Sequence, residues 1–189
     1  MPNKKKPKKI ILGLAGEIAS GKDTVAAYLK QKYKGETISF STPLRDILDR
    51  MHLPQNRENL VALGTDLRTR FGRDILAKII TADVLSSKAK IISLPNIRLE
   101  EDIIYLKKIP GFHLVAIDVD DKTRYQRLTK RSQNADDKTK TWKQFLKDAK
   151  LPTEIHIKDL MRRAKYHLDN SGSLPEFQRQ IEELLKKLK

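Results

Sequence analysis

A chain of 189 residues, 39% of them apolar, is long enough to bury one substantial core. It has no cysteine, which excludes disulfides and thiol catalysis, and no run of 18 apolar residues, which excludes a membrane-spanning helix. Its net charge of +15 favours anionic partners: nucleotides, nucleic acid or an acidic surface.

In chain order, residues 1–9 carry Lys4, Lys5, Lys6, Lys8 and Lys9 with Pro2 and Pro7, and read as a disordered basic tail. No apolar stretch of signal-peptide type follows this basic start, so a cytoplasmic protein is expected. A solvated tail accounts for these lysines, with nucleic acid as a secondary partner. Residues 10–189 read as a single domain. Five short Ile-, Val- and Leu-rich strands are expected at Lys9–Leu14, Glu36–Phe40, Lys90–Leu94, Phe112–Val119 and Lys165–Asp169. Helical patterns fill the gaps, which predicts an α/β fold with a parallel sheet. Val25, Ala26, Leu29 and Tyr33 mark a helix over Asp23–Tyr33. Leu44, Ile47, Leu48 and Met51 share a face after Pro43. Leu60, Leu63, Leu67 and Phe71 form a second face, and Ile75, Leu76, Ile79, Ile80, Val84 and Leu85 a third. Ser173-Leu174-Pro175-Glu176 and Thr141-Trp142-Lys143-Gln144 have the pattern of capping boxes. The polar stretch Ser132–Lys140 reads as a loop, and about 122–150 as a lid inserted in the same domain.

The most informative motif is Gly16-Glu17-Ile18-Ala19-Ser20-Gly21-Lys22-Asp23-Thr24. It has the G-x-x-x-x-G-K spacing of a phosphate-binding loop, with Asp in place of the usual Ser or Thr after the lysine. A strand before it and a helix after it complete an anion cradle. Backbone N–H groups and the helix dipole provide partial positive charge, and Lys22 adds a full one.

Arginine is suited to hold transferring phosphates, because its planar fork grips two oxygens at once. Arg124, Arg127 and Arg131 share one helical face before the polar loop. Arg45 follows the second strand, Arg68 sits in the Leu60–Phe71 helix, and Arg98 follows the third strand. In a parallel sheet, ligands gather beyond the C-terminal strand ends, so Arg45 and Arg98 are expected near Lys22. No Asn-Lys-x-Asp sequence and no Asp after the third strand are present. Asp118 could take the metal-holding role only by pointing at the loop. These features favour a small kinase over a GTPase or a motor.

The order of motifs resembles the P-loop nucleoside monophosphate kinase group, most of all the deoxynucleoside monophosphate kinase and dephospho-CoA kinase families. Four pieces carry the resemblance: the loop into Val25-Ala26, Phe40-Ser41-Thr42-Pro43-Leu44-Arg45, Arg124-Tyr125-Gln126-Arg127 with Arg131, and Asn170-Ser171-Gly172-Ser173-Leu174. It implies a three-layer P-loop NTPase fold, with a five-stranded parallel sheet flanked by helices and a small helical lid. It also implies roles: Gly16 through Thr24 for the phosphates of ATP, Asp23 and Thr24 for Mg2+, and Lys22, Arg127 and Arg131 for catalysis. Asn170 and Gly172 would border the donor base, and Arg45, Arg68 and Arg98 would face the acceptor.

The pattern departs from its relatives in two places. Ser93-Leu94-Pro95-Asn96 stand where an Asp is usual after the third strand, and the acidic patch that dephospho-CoA kinases carry after the second strand is replaced by Ser41-Thr42-Pro43. The second departure favours a nucleotide acceptor. The expected function is transfer of the γ-phosphate of ATP to a (deoxy)nucleoside monophosphate or a similar small acceptor, by a monomer or homodimer. Two alternatives stay open: a dephospho-CoA kinase, and a non-catalytic nucleotide-binding regulator or nucleic-acid-binding protein.

Overall fold

The computed structural model describes residues 9–130, 139–150 and 152–189. In chain order the strands are β1 (Ile10–Ala15), β2 (Glu36–Thr37), β3 (Ile91–Leu94), β4 (Phe112–Asp118) and β5 (Tyr166–Asp169). The helices are α1 (Lys22–Tyr33), α2 (Thr42–Arg50), α3 (Arg57–Phe71), α4 (Ile75–Ser86) and α5 (Glu100–Ile103). They continue with α6 (Asp121–Lys130), α7 (Trp142–Asp148), α8 (Pro152–Arg163) and α9 (Leu174–Leu188).

Every residue of β1 is buried. Ile10, Leu12 and Leu14 enter one core, while Ile11 and Ala15 enter the other. A strand apolar on both faces belongs inside a parallel sheet covered on both sides. The sheet has that form, with order β2-β3-β1-β4-β5 and every ladder parallel. Ile11 pairs with Ile92 on one side and with Phe112 on the other.

Helices α1 and α9 cover one face through Val25, Leu29, Phe177, Ile181 and Leu184. Tyr28 and Lys32 of α1 both donate to the Glu182 carboxylate on α9, tying the two helices at their outer edge. Leu44, Leu76, Ile80, Val84, Ile103 and Leu160 cover the other face, drawing on α2, α4, α5 and α8. The result is a three-layer α/β architecture. Among the described residues, no helix is long and apolar enough to cross a membrane.

All five expected strands form, with β2 shorter than expected. Ile38 and Phe40 are buried past the last paired residue of β2, although the Ile38 amide still donates to the Ser93 carbonyl at 3.0 Å. Phe71 and Leu85, placed on core-facing stripes by their spacing, are exposed near the C-terminal ends of their helices. Helix α8 lies where no helix was expected. Both capping boxes form: the Ser173 amide donates to Glu176 Oε2 at 2.9 Å, and the Thr141 amide to Gln144 Oε1 at 2.8 Å. Lys9, counted with the tail, donates to the Val84 and Ser87 carbonyls at the end of α4. The rest of the tail lies outside the described residues.

Helix α9 is held mainly by its buried stripe, in which Phe177 is 1% exposed. Phe177→Ala is expected to cost about 3–5 kcal/mol, as for other buried aromatic truncations. Leu85→Ala, at a site 61% exposed, is expected to stay within about 0.5 kcal/mol. Urea unfolding of both variants, compared at unchanged m-value, checks the contrast.

Candidate active site

Between β1 and α1 the chain turns through residues 16–21, and two glycines are required there by space. A Cβ on Gly16 would lie 2.5 Å from Ser20 Oγ. Gly21 has φ of 101° and would place a Cβ 2.2 Å from Asn170 Nδ2. Ala19 also adopts the left-handed region, at φ 61°. A non-glycine residue held there is costly and marks a loop over-determined by its surroundings.

The turn after β5 is the main part of those surroundings. Asn170 is buried, and its amide Nδ2 donates to the Ser20 carbonyl at 2.8 Å. Its backbone N–H donates to the Asp118 carbonyl at the end of β4, and its carbonyl accepts from Arg127 Nη2 at 2.8 Å. One asparagine thus joins the loop, the sheet and helix α6. Gly172 follows in the same turn, where a Cβ would come 2.7 Å from the Glu176 carboxylate.

Lys22 folds across the loop. Its ammonium donates to the Gly16 carbonyl at 2.6 Å and the Glu17 carbonyl at 3.0 Å, and lies 3.5 Å from Ser20 Oγ. The cation therefore sits over the loop that leads into the N-terminus of α1, an end where the helix dipole favours an anion. Asp23 is exposed in the first turn of α1, and Thr24 is half-buried beside it. Among the described residues no cluster of three or more His, Asp or Glu could hold a metal unaided. Magnesium commonly takes only one or two protein oxygens beside phosphates and water, and Asp23 and Thr24 each carry a side-chain oxygen in the first turn of α1.

The arginines separate into distinct situations. Arg127 is partly buried, and its Nη1 is buried without a hydrogen-bond partner among the described residues. Arg131 lies outside the described residues. Arg124 does not face a phosphate site: it is 1% exposed and paired with Asp121 and Glu17. Asp118 points to His167 on β5, its carboxylate 2.8 Å from Nδ1, and not to the loop.

Beyond the end of β3 a cleft of about 300 Å³ is lined by Phe40, Ser41, Leu44, Arg68, Leu76, Asn96, Arg98, Leu99 and Asp102. Arg68 and Arg98 meet there. Arg45 does not line it; this side chain is exposed and donates to Gln55. The usual carboxylate after the third strand is replaced by neutral groups: Ser93 Oγ is bonded to Thr37 Oγ1, and Asn96 Nδ2 donates to Ser39 Oγ. A carboxylate enters from another position. Asp102, 7% exposed, accepts the Arg98 and Leu99 amides at 2.9 and 3.0 Å. Sequence reasoning passed over it; the signal was an acidic residue three positions after Leu99, the N-cap of α5.

The β2-β3-β1-β4-β5 order with a glycine loop between β1 and α1 defines a P-loop kinase-like α/β fold. The chain belongs to the AAA domain family, whose model matches residues 15–143. Similar sequences include the UPF0200 protein of Sulfurisphaera tokodaii, 29% identical over 94% of this chain and 97% of that one. The UPF0200 protein of Methanococcus maripaludis strain C6 is 26% identical over the same shares. Among solved structures, the shikimate kinase from Bacteroides thetaiotaomicron matches 95% of this chain and 98% of its own, with a TM-score of 0.63 at 14% identity. TT1252 from Thermus thermophilus matches with a TM-score of 0.60 at 19% identity, over 96% of this chain and 99% of its own.

Burial pushes the Asp102 carboxyl above its ordinary value, against the opposing effect of the Arg98 and Leu99 amides. The folded state therefore keeps this proton to higher pH than the unfolded state does. The stability linked to it is present below the unfolded carboxyl value and lost as pH rises through the folded one. Asp102→Asn keeps an acceptor for both amides and removes the charge. Its stability relative to the wild type is expected to rise between about pH 3.5 and 7, spanning the ordinary carboxyl range. Urea midpoints of both proteins across that range test this.

Proposed function

We propose that the chain is an ATP- and Mg2+-dependent phosphotransferase that moves the γ-phosphate onto a (deoxy)nucleoside monophosphate or a similar small acceptor. One observation carries the reading: a glycine loop after β1 with Lys22 folded across it, and a separate cleft with two arginines beyond β3, lie at the same end of the sheet. Phosphoryl transfer between two anionic molecules requires mainly their alignment and the neutralisation of charge. The likeness to shikimate kinases supports the same division of a kinase fold.

In this reading the backbone of Gly16, Glu17, Ile18, Ala19, Ser20 and Gly21 holds the donor polyphosphate. Lys22 exchanges its loop carbonyls for phosphate oxygens and stabilises charge on the transferring group. Arg127 contributes its Nη1, which has no hydrogen-bond partner among the described residues, and Arg131 supplies a further positive charge to the transferring group. Asp23 and Thr24 hold magnesium, which supplies charge neutralisation on the phosphate oxygens. Asn170 and Gly172 border the donor base. Arg68 and Arg98 take the acceptor's anionic group. The enzyme works in the cytoplasm as a monomer or homodimer.

Dephospho-CoA kinase is the alternative within the enzyme class. The cleft's walls at Ser41 and Asn96 are neutral, which favours the nucleotide acceptor. A nucleotide-binding regulator, with the +15 charge serving a nucleic acid, is the alternative from another class.

A coupled assay of ADP release tests the proposal with a panel of nucleoside monophosphates, dephospho-CoA and shikimate. Turnover with a monophosphate is expected, and none with any acceptor would overturn the reading. Lys22→Ala is expected to lower kcat about 10²- to 10³-fold, the range for a lost transition-state charge donor. Arg98→Ala is expected to act mainly on the acceptor KM.

A further inference from the structure

Arg124 is a buried cation that the transfer scheme leaves unused. Its Nη2 lies 2.6 Å from Asp121 Oδ1 and 3.1 Å from Glu17 Oε1. Its Nη1 donates to the Ile18 carbonyl at 3.4 Å, and the guanidinium lies 5.0 Å from the centre of the Phe145 ring. Glu17 is 9% exposed, and a second cation, Lys158 of α8, approaches it at 3.4 Å. The network is incompletely bonded: Arg124 Nε and Glu17 Oε1 are buried with no aligned hydrogen-bond partner among the described residues. Partly satisfied buried ion pairs are poor sources of stability, because desolvation offsets the attraction. Stability alone does not account for this one.

Its position suggests what does. Glu17 is the second residue of the phosphate loop, so a carboxylate stands in a segment whose other features all favour an anion. Without compensation its charge would oppose a polyphosphate. We propose that Arg124 is a positioning residue for nucleotide binding: it neutralises the Glu17 carboxylate within the loop, without touching the nucleotide. This rests on the nucleotide reading of the loop given above. It also assigns a role to the first arginine of the Arg124, Arg127, Arg131 series different from that of the other two. Burial against Phe145 and Glu17 removes it from the phosphates.

The test is a double-mutant cycle read by calorimetric titration of the full chain with ADP and GDP, alongside thermal melts. Arg124→Met keeps the apolar stem and removes the charge; affinity is expected to fall about 10-fold or more, within the usual size of site-to-site coupling. Adding Glu17→Gln removes the stranded carboxylate and is expected to restore affinity to within about threefold of the wild type, a strong pairwise coupling. A merely structural arginine would give a double variant that binds as poorly as Arg124→Met. That result, or equal affinity of Arg124→Met and wild type, would overturn the inference. Glu17→Gln alone leaves the arginine in place and keeps the test decisive if Arg124→Met does not fold. It is expected to bind the nucleotide several-fold more tightly, and equal or weaker binding would overturn the inference. Failure of the wild-type chain to bind either nucleotide would instead overturn the reading of the loop, and the inference with it.

Discussion

The side-chain amide of Asn170, donated to the Ser20 carbonyl inside the protein, is the contact on which the site's geometry depends. It fixes the bottom of the phosphate loop from 150 residues away in sequence. For that to happen β5 must lie beside β4, so that the turn after β5 comes up against the turn after β1. The cost appears at Gly21, where the amide occupies the space of any Cβ. It appears again at Ala19, held in a conformation that side chains avoid. The sheet order, the strained loop and the exclusion of a side chain at residue 21 are three sides of one constraint.

Charge is distributed unevenly around that contact. Most ion pairs here, such as Arg73–Glu101 and Lys107–Glu100, are on the surface, where solvent screening leaves them worth little. The large positive excess accordingly says more about partners than about folding. Pairs that bear on structure among the described residues include Lys32 with Glu182 across α1 and α9 and, near the loop, Arg124 with Glu17 and Asp121, and Lys158 with Glu17. In the cleft beyond β3 the buried carboxylate Asp102 is held by backbone amides and sets the course of the chain through Arg98 and Leu99.

The strands and the loop were legible because their signals are local. Short Ile- and Val-rich runs bounded by turns, and glycines at fixed spacing before a helix, report on nearest neighbours in the chain. The capping boxes at Thr141 and Ser173 were legible for the same reason. What was lost depended on distant partners. Ile38 and Phe40 look like strand residues, yet they pack in the core past the end of the ladder. The spacing of Arg124 and Arg127 puts both on one side of α6, but spacing does not tell whether that side meets a ligand or a buried Glu17. Arg45 reads as equivalent to Arg98 by its place after a strand, whereas the course of α2 carries it to Gln55. Asp102 was passed over because its importance comes from two amides and a cleft wall, none of which is visible in the run Leu99-Glu100-Glu101-Asp102. Helix α8 was missed although Ile157 and Leu160 are buried; with exposed Ile155 between polar residues its stripe is narrow.

The two borders of the sheet differ from its centre in a way that affects how the molecule meets others of its kind. β2 contributes only Glu36 and Thr37, both exposed, and β5 is four residues long with only Leu168 buried. Each border therefore offers few unpaired backbone groups to an incoming strand, and Lys34 and Lys165 stand beside them. Short, charged margins of this kind resist strand addition from a second molecule. The apolar β1 and β3, which would be the most adhesive segments of the chain, are enclosed on both sides. Self-association through sheet extension is thus disfavoured by the same strand order that brings Asn170 to the loop.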